Sequence, residues 1–141
     1  MVSPTGASRS RATLIRLSYL GCAASPTPAA DTGVMARVLI SEPHADCRAL
    51  VELVVQRIGH DPLGPGELAE GDDPGLLILE PAAADGLAIA HQLRRRLENL
   101  PIICTSVRPP SAVTEKLRPA AYLVKPFRLA ELESAVAEAL A

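Results

Sequence analysis

Aromatic side chains are nearly absent from this chain of 141 residues, which contains no Trp, one Phe and two Tyr. Proteins that bind single-stranded nucleic acid use aromatic side chains as platforms on which bases stack, so this composition argues against that role. The formal net charge of −2 also argues against binding to a phosphate backbone. We therefore expect no direct contact with nucleic acid.

Cysteine is scarce and widely spaced, at Cys22, Cys47 and Cys104. An odd number of cysteines without a Cys-x-x-Cys pair or a nearby His pair predicts neither a disulfide framework nor a zinc site. We interpret Cys47 and Cys104 as small buried apolar side chains.

The glycine-rich phosphate-binding motifs are missing as well. No apolar run reaches the roughly 18 residues of a membrane span, so we expect no membrane segment.

Residues 1–34 differ in composition from the rest of the chain. They are rich in Ser, Ala, Pro, Thr and Arg, and Arg16 interrupts their one apolar patch, Leu14 to Leu20. Such a segment buries too little apolar surface to offset the entropy lost on ordering. We expect a disordered N-terminal extension, with Met35 as an alternative translation start. The folded part is expected at residues 35–141, the size of one domain.

Short apolar runs alternate with helical periodicity between Val38 and Leu140, which is typical of βαβ units and a parallel sheet. Clear strands are predicted at 38–40, 76–79, 102–104 and 122–124, with a weak edge strand at 60–63. Helices are predicted at 44–58, after Asp85 as N-cap, and at 129–140. The second and fourth crossovers have room for only two helical turns. The pattern predicts an α/β fold with a doubly wound, five-stranded parallel sheet.

A polar residue follows each of the four clear strands. These residues are Glu42, Glu80, Ser106 and Lys125. Because the carboxyl ends of parallel strands meet at one sheet edge, where open α/β sheets bind ligands, we expect the four side chains to lie together. The other conspicuous cluster, Arg94–Arg96, is interpreted as a solvated helix end that complements the helix dipole.

Several segments occur in a characteristic order along residues 36–141. They are Ala36-Arg37-Val38-Leu39-Ile40, the strand 76–79 before Glu80, Asp85-Gly86-Leu87, Pro101-Ile102-Ile103 and Tyr122-Leu123-Val124-Lys125-Pro126-Phe127. Together they resemble the receiver domain of bacterial two-component response regulators, and the last segment is the most specific. The resemblance implies a flavodoxin-like fold with strand order 2-1-3-4-5. It also implies a cytoplasmic, non-enzymatic signalling protein, here a stand-alone receiver because no output domain follows Ala141.

In that family an aspartate after the third strand accepts a phosphoryl group from a histidine kinase. Two acidic residues after the first strand hold Mg²⁺, and a hydroxyl residue and a lysine contact the phosphoryl oxygens. By this resemblance Glu80 stands at the phosphoacceptor position, and Glu42 and Pro43 stand at the acidic pair. Ser106 and Lys125 stand at the phosphoryl-contact positions, and Tyr122 stands at the aromatic switch position.

Two of these positions depart from the family pattern. Pro43 offers no side-chain oxygen, and the extra methylene of Glu80 moves its carboxylate by about 1.5 Å. A misplacement of ~1 Å in a reacting geometry can cost on the order of 10²-fold in rate. We therefore predict a pseudo-receiver without a metal cofactor, in which Lys125 pairs directly with Glu80 and lies close to Glu42.

Three alternatives stay open. Glu80 could mimic a phosphorylated aspartate and lock an active-like surface. Alternatively, Glu80 or the nearby Asp85 accepts phosphate, with Mg²⁺ held by Glu42 and Glu80. The third alternative is an unrelated small α/β enzyme or ligand-binding module. The expected partners are proteins, with a histidine kinase or an output protein as candidates, or a second copy bound through strand 122–124 and helix 129–140.

Overall fold

Strands and helices alternate along the chain in a computed structural model, which describes residues 35–69 and 71–141. The strands are β1 (Arg37–Ser41), β2 (Asp61–Leu63), β3 (Leu76–Leu79), β4 (Ile102–Ser106) and β5 (Ala121–Val124). The helices are α1 (Ala45–Arg57), α2 (Ala84–Arg96), α3 (Ala112–Glu115) and α4 (Leu129–Ala139). The extension predicted at residues 1–34 lies outside the described residues.

The five strands form one parallel sheet in the order β2-β1-β3-β4-β5. This order confirms the predicted arrangement 2-1-3-4-5. Strands β3 and β4 are buried along their whole length, as expected for strands with helices on both faces. Strand β2 lies at one edge, where Pro62 is tolerated because an edge strand has an unpaired side.

Two apolar layers cover the sheet, because successive side chains of a strand point to opposite faces. Along β3, Leu76 and Ile78 belong to one layer, and Leu77 and Leu79 belong to the other. The first layer contains residues of α1 and α4, namely Val51, Val54, Val55, Leu132, Ala135 and Val136. The second contains residues of α2 and the segment after α3, namely Ala90, Leu93 and Leu117. The sheet is therefore doubly wound.

The second and fourth crossovers are short, as predicted. Between β2 and β3 the helix is reduced to a single 3-10 turn, Pro65–Glu67. Between β4 and β5, α3 has four residues and begins after Ser111. Its start is held by reciprocal capping, in which the Ser111 N–H donates to Thr114 Oγ1 over 2.8 Å and the Thr114 N–H donates to Ser111 Oγ over 3.4 Å.

Two local predictions were wrong. Asp85 is not an N-cap, because α2 begins at Ala84 and the N-cap is Ala83, whose N–H already donates to the Glu80 carbonyl over 3.1 Å. The cluster Arg94–Arg96 is not solvated throughout, because Arg94 is half-buried and donates to backbone carbonyls while its two neighbours are exposed. Among residues 35–69 and 71–141, none of the helices combines the length and the apolar character that crossing a bilayer requires.

Candidate functional site

The four polar residues that follow the clear strands lie at the carboxyl edge of the sheet. Backbone hydrogen bonds position them, since the Glu80 N–H donates to the Ser41 carbonyl over 3.0 Å and the Lys125 N–H donates to the Ser106 carbonyl over 2.7 Å. Glu42 and Glu80 are each only 5% exposed. Charged residues are seldom buried to this extent unless they are paired.

Lys125 supplies the partner for both carboxylates. Its Nζ donates to Glu42 Oε1 over 2.8 Å and to Glu80 Oε1 over 3.0 Å. The three side chains are shielded, with exposures of 11% for Lys125, 2% for Glu42 and 6% for Glu80. We call Glu42, Glu80 and Lys125 the ion triad. It joins the ends of β1, β3 and β5 across the sheet.

Backbone N–H groups engage the second oxygen of each carboxylate. Glu42 Oε2 accepts from the His44 N–H over 3.1 Å, and Glu80 Oε2 accepts from the Ala82 N–H over 3.0 Å. His44 is the N-cap of α1, whose N-terminal partial positive charge favours a neighbouring carboxylate. These donors offset the excess negative charge of a triad with two formal carboxylates and one ammonium.

The contacts of the triad shift the pKa values of Lys125 and Glu80 towards the charged forms. Burial lowers the pKa of Lys125, but its hydrogen bonds and attraction to Glu42 and Glu80 raise that pKa by more, to above the ordinary lysine value. Burial raises the pKa of Glu80, but the Ala82 N–H, the Lys125 ammonium and the Ser106 hydroxyl together bring that pKa below the ordinary value. Lys125 and Glu80 are therefore both charged at neutral pH.

Ser106 and Tyr122 flank the triad and both contact Arg108 in the loop after β4. The Arg108 N–H donates to the buried Ser106 Oγ over 3.1 Å, and the Tyr122 hydroxyl donates to the Arg108 carbonyl over 2.7 Å. Tyr122 is half-buried, and this burial raises the pKa of its hydroxyl. The structure thus brings together all five predicted site residues, while Asp85 is exposed in the first turn of α2.

The resemblance implies a Mg²⁺ ion at this edge, and the residues present do not fit one. Mg²⁺ prefers near-octahedral oxygen ligands, and Pro43 contributes no side-chain oxygen. The Lys125 ammonium lies between the two carboxylates, where a cation would have to bind. Within the part of the chain that the structure describes, no group of three or more His, Cys, Asp or Glu side chains could hold a metal ion.

Sequence reasoning missed the close approach of α2 to the site. A Cβ atom at Gly86 would lie 3.1 Å from the Glu80 carbonyl oxygen and 3.3 Å from Ser41 Oγ, so only glycine fits without a shift. Sequence reasoning also missed the backbone N–H groups of His44 and Ala82 that donate to the two carboxylates, because residue types do not show where an N–H group points. The short loop after Glu80 was the one available signal.

No protein-family model matches the chain, and no curated protein matches it either. Solved structures do match its fold. CheY4, a chemotaxis response regulator of Vibrio cholerae, is 18% identical, with a TM-score of 0.66 over 76% of this chain and 100% of that one. HP1043, an orphan response regulator of H. pylori, is 16% identical, with a TM-score of 0.60 over 75% of this chain and 97% of that one.

NtrX from Brucella abortus, solved in complex with ADP, is similar over 76% of this chain at 22% identity and a TM-score of 0.64. The match covers only 27% of NtrX, so this chain corresponds to a small part of that protein. At these identities the likeness shows the fold alone. The chain has the fold of a response-regulator receiver domain, as the sequence segments predicted.

Proposed function

We propose that this chain is a pseudo-receiver in phosphorelay signalling, which takes up no phosphoryl group and acts by presenting a surface to a protein partner. The observation that carries this proposal is the ion triad. The ammonium of Lys125 lies 2.8 Å and 3.0 Å from the two carboxylates that a receiver-type site would use to bind a cation and accept phosphate.

The chemistry of phosphoryl transfer supports this proposal. Catalysis of that reaction depends on positioning the nucleophile and neutralising charge. Both oxygens of Glu80 are already engaged, one by Lys125 and the other by the Ala82 N–H. The Glu80 side chain is 6% exposed, so a phosphodonor would have to open the site before it could reach an acceptor oxygen. The same closure argues against a substrate site for an unrelated enzyme.

Incubation of the full chain with Mg²⁺ and a small phosphodonor, followed by intact-mass measurement, tests the proposal. We expect no gain in mass, while a receiver with an intact acceptor aspartate, treated in parallel, gains one phosphoryl group. A gain by this chain that disappears in Glu80→Gln, or that maps to Asp85, would overturn the proposal. NMR titration of the amides of residues 42, 80 and 125 with millimolar Mg²⁺ should likewise show no binding.

The segment from Val107 to Arg128 supports a role in binding a protein partner. Three valines in this segment are exposed, Val107 by 68%, Val113 by 51% and Val124 by 46%. Its exposed charged residues carry a net charge of +3, whereas residues 35–141 as a whole carry −4; they are Arg108, Glu115, Lys116, Arg118 and Arg128. Apolar side chains among basic ones suit a partner segment that is acidic and partly apolar.

A histidine kinase and an output protein remain the candidate partners, and a second copy bound through strand 122–124 and helix 129–140 is the alternative. Sedimentation equilibrium distinguishes binding to a different protein from self-association. A monomer at all concentrations would favour a different protein as partner. A concentration-dependent dimer that is lost in Val124→Glu would favour self-association.

A second candidate function makes Glu80 a permanent mimic of a phosphorylated aspartate. The observation that favours it is the placement of Ser106, whose buried hydroxyl lies at the same sheet edge as Glu80 and helps to lower the pKa of that carboxyl group. A carboxylate supplies only part of the charge and oxygens of a phosphoryl group. Under this candidate, Glu80→Gln should change the conformation of the loop that begins at Val107, whereas a fixed surface should not respond.

A further inference from the structure

The crossover between β4 and β5, residues 107–120, is held at both ends by hydrogen bonds from other elements. At its beginning, Ser106 Oγ and the Tyr122 hydroxyl engage the N–H and the carbonyl of Arg108. At its end, the guanidinium of Arg94, which projects from α2, donates to the carbonyl groups of Leu117 and Arg118, the latter over 3.5 Å.

Arg94 also holds the loop that follows its own helix. Its second terminal nitrogen donates to the Leu100 carbonyl over 2.5 Å and to the Glu98 carbonyl over 3.1 Å. Both residues lie in the loop after α2, which ends at Arg96, so these carbonyls have no place in the hydrogen-bond ladder of the helix. The rigid, planar fork of a guanidinium suits this task, because it presents several N–H groups in fixed directions. One side chain therefore joins the loop after α2 to the segment after α3.

Helix α3 needs such outside support. It has four residues, and a helix of one turn recovers little of the entropy that its nucleation costs. The segment after it contributes Leu117, which is 1% exposed in the apolar layer shared with α2. Arg118 then adopts a left-handed backbone with φ of 51°, which ends the helix before β5. Contacts with α2 thus fix where the crossover ends.

We infer that Arg94 is the positioning residue that holds this crossover in one conformation. The exposed face that contains Val107 and Val113 is then presented permanently and does not respond to the charge of Glu80. This inference deepens the proposed function and rests on it in one respect, since a fixed face suits a module that is not switched.

Hydrogen–deuterium exchange of the full chain tests the inference, with Arg94→Met compared against Arg95→Met. Arg95 is the exposed neighbour and serves as the matched control. We expect amides of residues 112–118 to exchange at least about tenfold faster in Arg94→Met, equivalent to ~1.4 kcal/mol of local opening. Strand β3 and the Arg95→Met protein should exchange like the wild type. If Arg94→Met fails to fold, Arg94→Lys should show the same local effect at smaller size.

Unchanged exchange at residues 112–118, or an increase spread evenly over the sheet, would overturn the inference. A second experiment changes only Glu80 and keeps Arg94. Glu80→Gln removes a charge from the site and should leave the ratio of the exchange rates of residues 112–118 to those of β3 unchanged. A change confined to residues 112–118 would contradict a fixed face. No phosphodonor is involved, so this result and the phosphorylation result can fail independently.

Discussion

Two cations stabilise opposite edges of the sheet, and their partners differ in kind. At the carboxyl edge, the Lys125 ammonium lies between two carboxylates within 3.0 Å. Near the beginning of β4 and β5, the Arg94 guanidinium donates only to neutral carbonyl groups, those of Glu98, Leu100, Leu117 and Arg118. Lys125 therefore depends on the ionisation of its partners, whereas Arg94 depends on the geometry of a backbone cage.

The consequences of losing each cation also differ. Without Lys125, two carboxylates that are almost fully buried would face each other with no cation between them. Without Arg94, four neutral carbonyls lose a donor, two of them on exposed residues, Glu98 and Arg118, and two on buried residues, Leu100 and Leu117. Since an unpaired buried charge costs more than an unpaired neutral carbonyl, the carboxyl edge should be the more sensitive of the two.

The largest effect is therefore expected for Lys125→Met. At neutral pH it should lower the free energy of unfolding by about 3–5 kcal/mol, the usual cost of breaking a buried ion pair from one side. Urea denaturation followed by circular dichroism measures this change. Lys116→Met is the matched control, because Lys116 is exposed on the surface after α3 and its loss should be nearly neutral.

A divalent cation sharpens this prediction. If Lys125 takes the place of a bound cation, millimolar Mg²⁺ should restore part of the stability of Lys125→Met and leave the wild type unchanged. A loss below about 1 kcal/mol in Lys125→Met, the range of surface pairs, would show that the ion triad does not hold the strand ends together.

The next largest effect is expected for Glu80→Gln, whose loss of unfolding free energy should depend on pH. Because the folded pKa of Glu80 lies below its ordinary value of 4.5, its ion pair stabilises the protein above that pH and is lost as the pH falls through the lowered pKa. On the alkaline side, the pKa of Lys125 in the folded protein is raised above its ordinary value of 10.5. The ion pair is therefore intact below pH 10.5 and is lost only as the pH rises through the raised pKa. Glu80→Gln should cost about 2 kcal/mol near neutral pH.

Variants at the two edges should differ in how their stability depends on acid pH. The difference in unfolding free energy between wild type and Glu80→Gln should shrink towards zero as the pH falls below the lowered pKa of folded Glu80, because the carboxylate is then protonated in both folded and unfolded chains. The difference for Arg94→Met should stay constant over the same range, because carbonyl acceptors do not titrate. Equal acid dependence in both variants would remove the distinction between the two edges.

The contacts at the carboxyl edge could largely be predicted from the sequence. Unbroken apolar runs such as 76–79 predict buried parallel strands, and the strand order follows from the receiver resemblance. Once the strands are parallel and adjacent, the residues that follow them must meet at one edge. Opposite charges in a shielded crevice then pair because neither Glu80 nor Lys125 has a better partner there.

The contacts of Arg94 could not be predicted in the same way. Three consecutive arginines at the end of a helix usually indicate solvated charge, and composition does not distinguish among them. Helical spacing offered one signal, since Arg94 follows buried Ala90 by four residues and so lies at the border of the buried face. Its acceptors are backbone carbonyls of a distant crossover, which become visible only when the chain is folded.

The smallest effect is expected where the two edges are linked, at the loop that begins the crossover. Tyr122→Phe removes the hydroxyl that donates to the Arg108 carbonyl over 2.7 Å. Arg108 is exposed, so water can replace the donor, and the loss in unfolding free energy should be about 0.5–1 kcal/mol.

Ser106→Ala is the matched comparison at the same loop residue, because it removes the acceptor of the Arg108 N–H. The Arg108 amide should exchange faster in Ser106→Ala, which loses its acceptor, than in Tyr122→Phe, in which that acceptor remains. The reverse order would mean that Tyr122, rather than Ser106, fixes the start of the crossover.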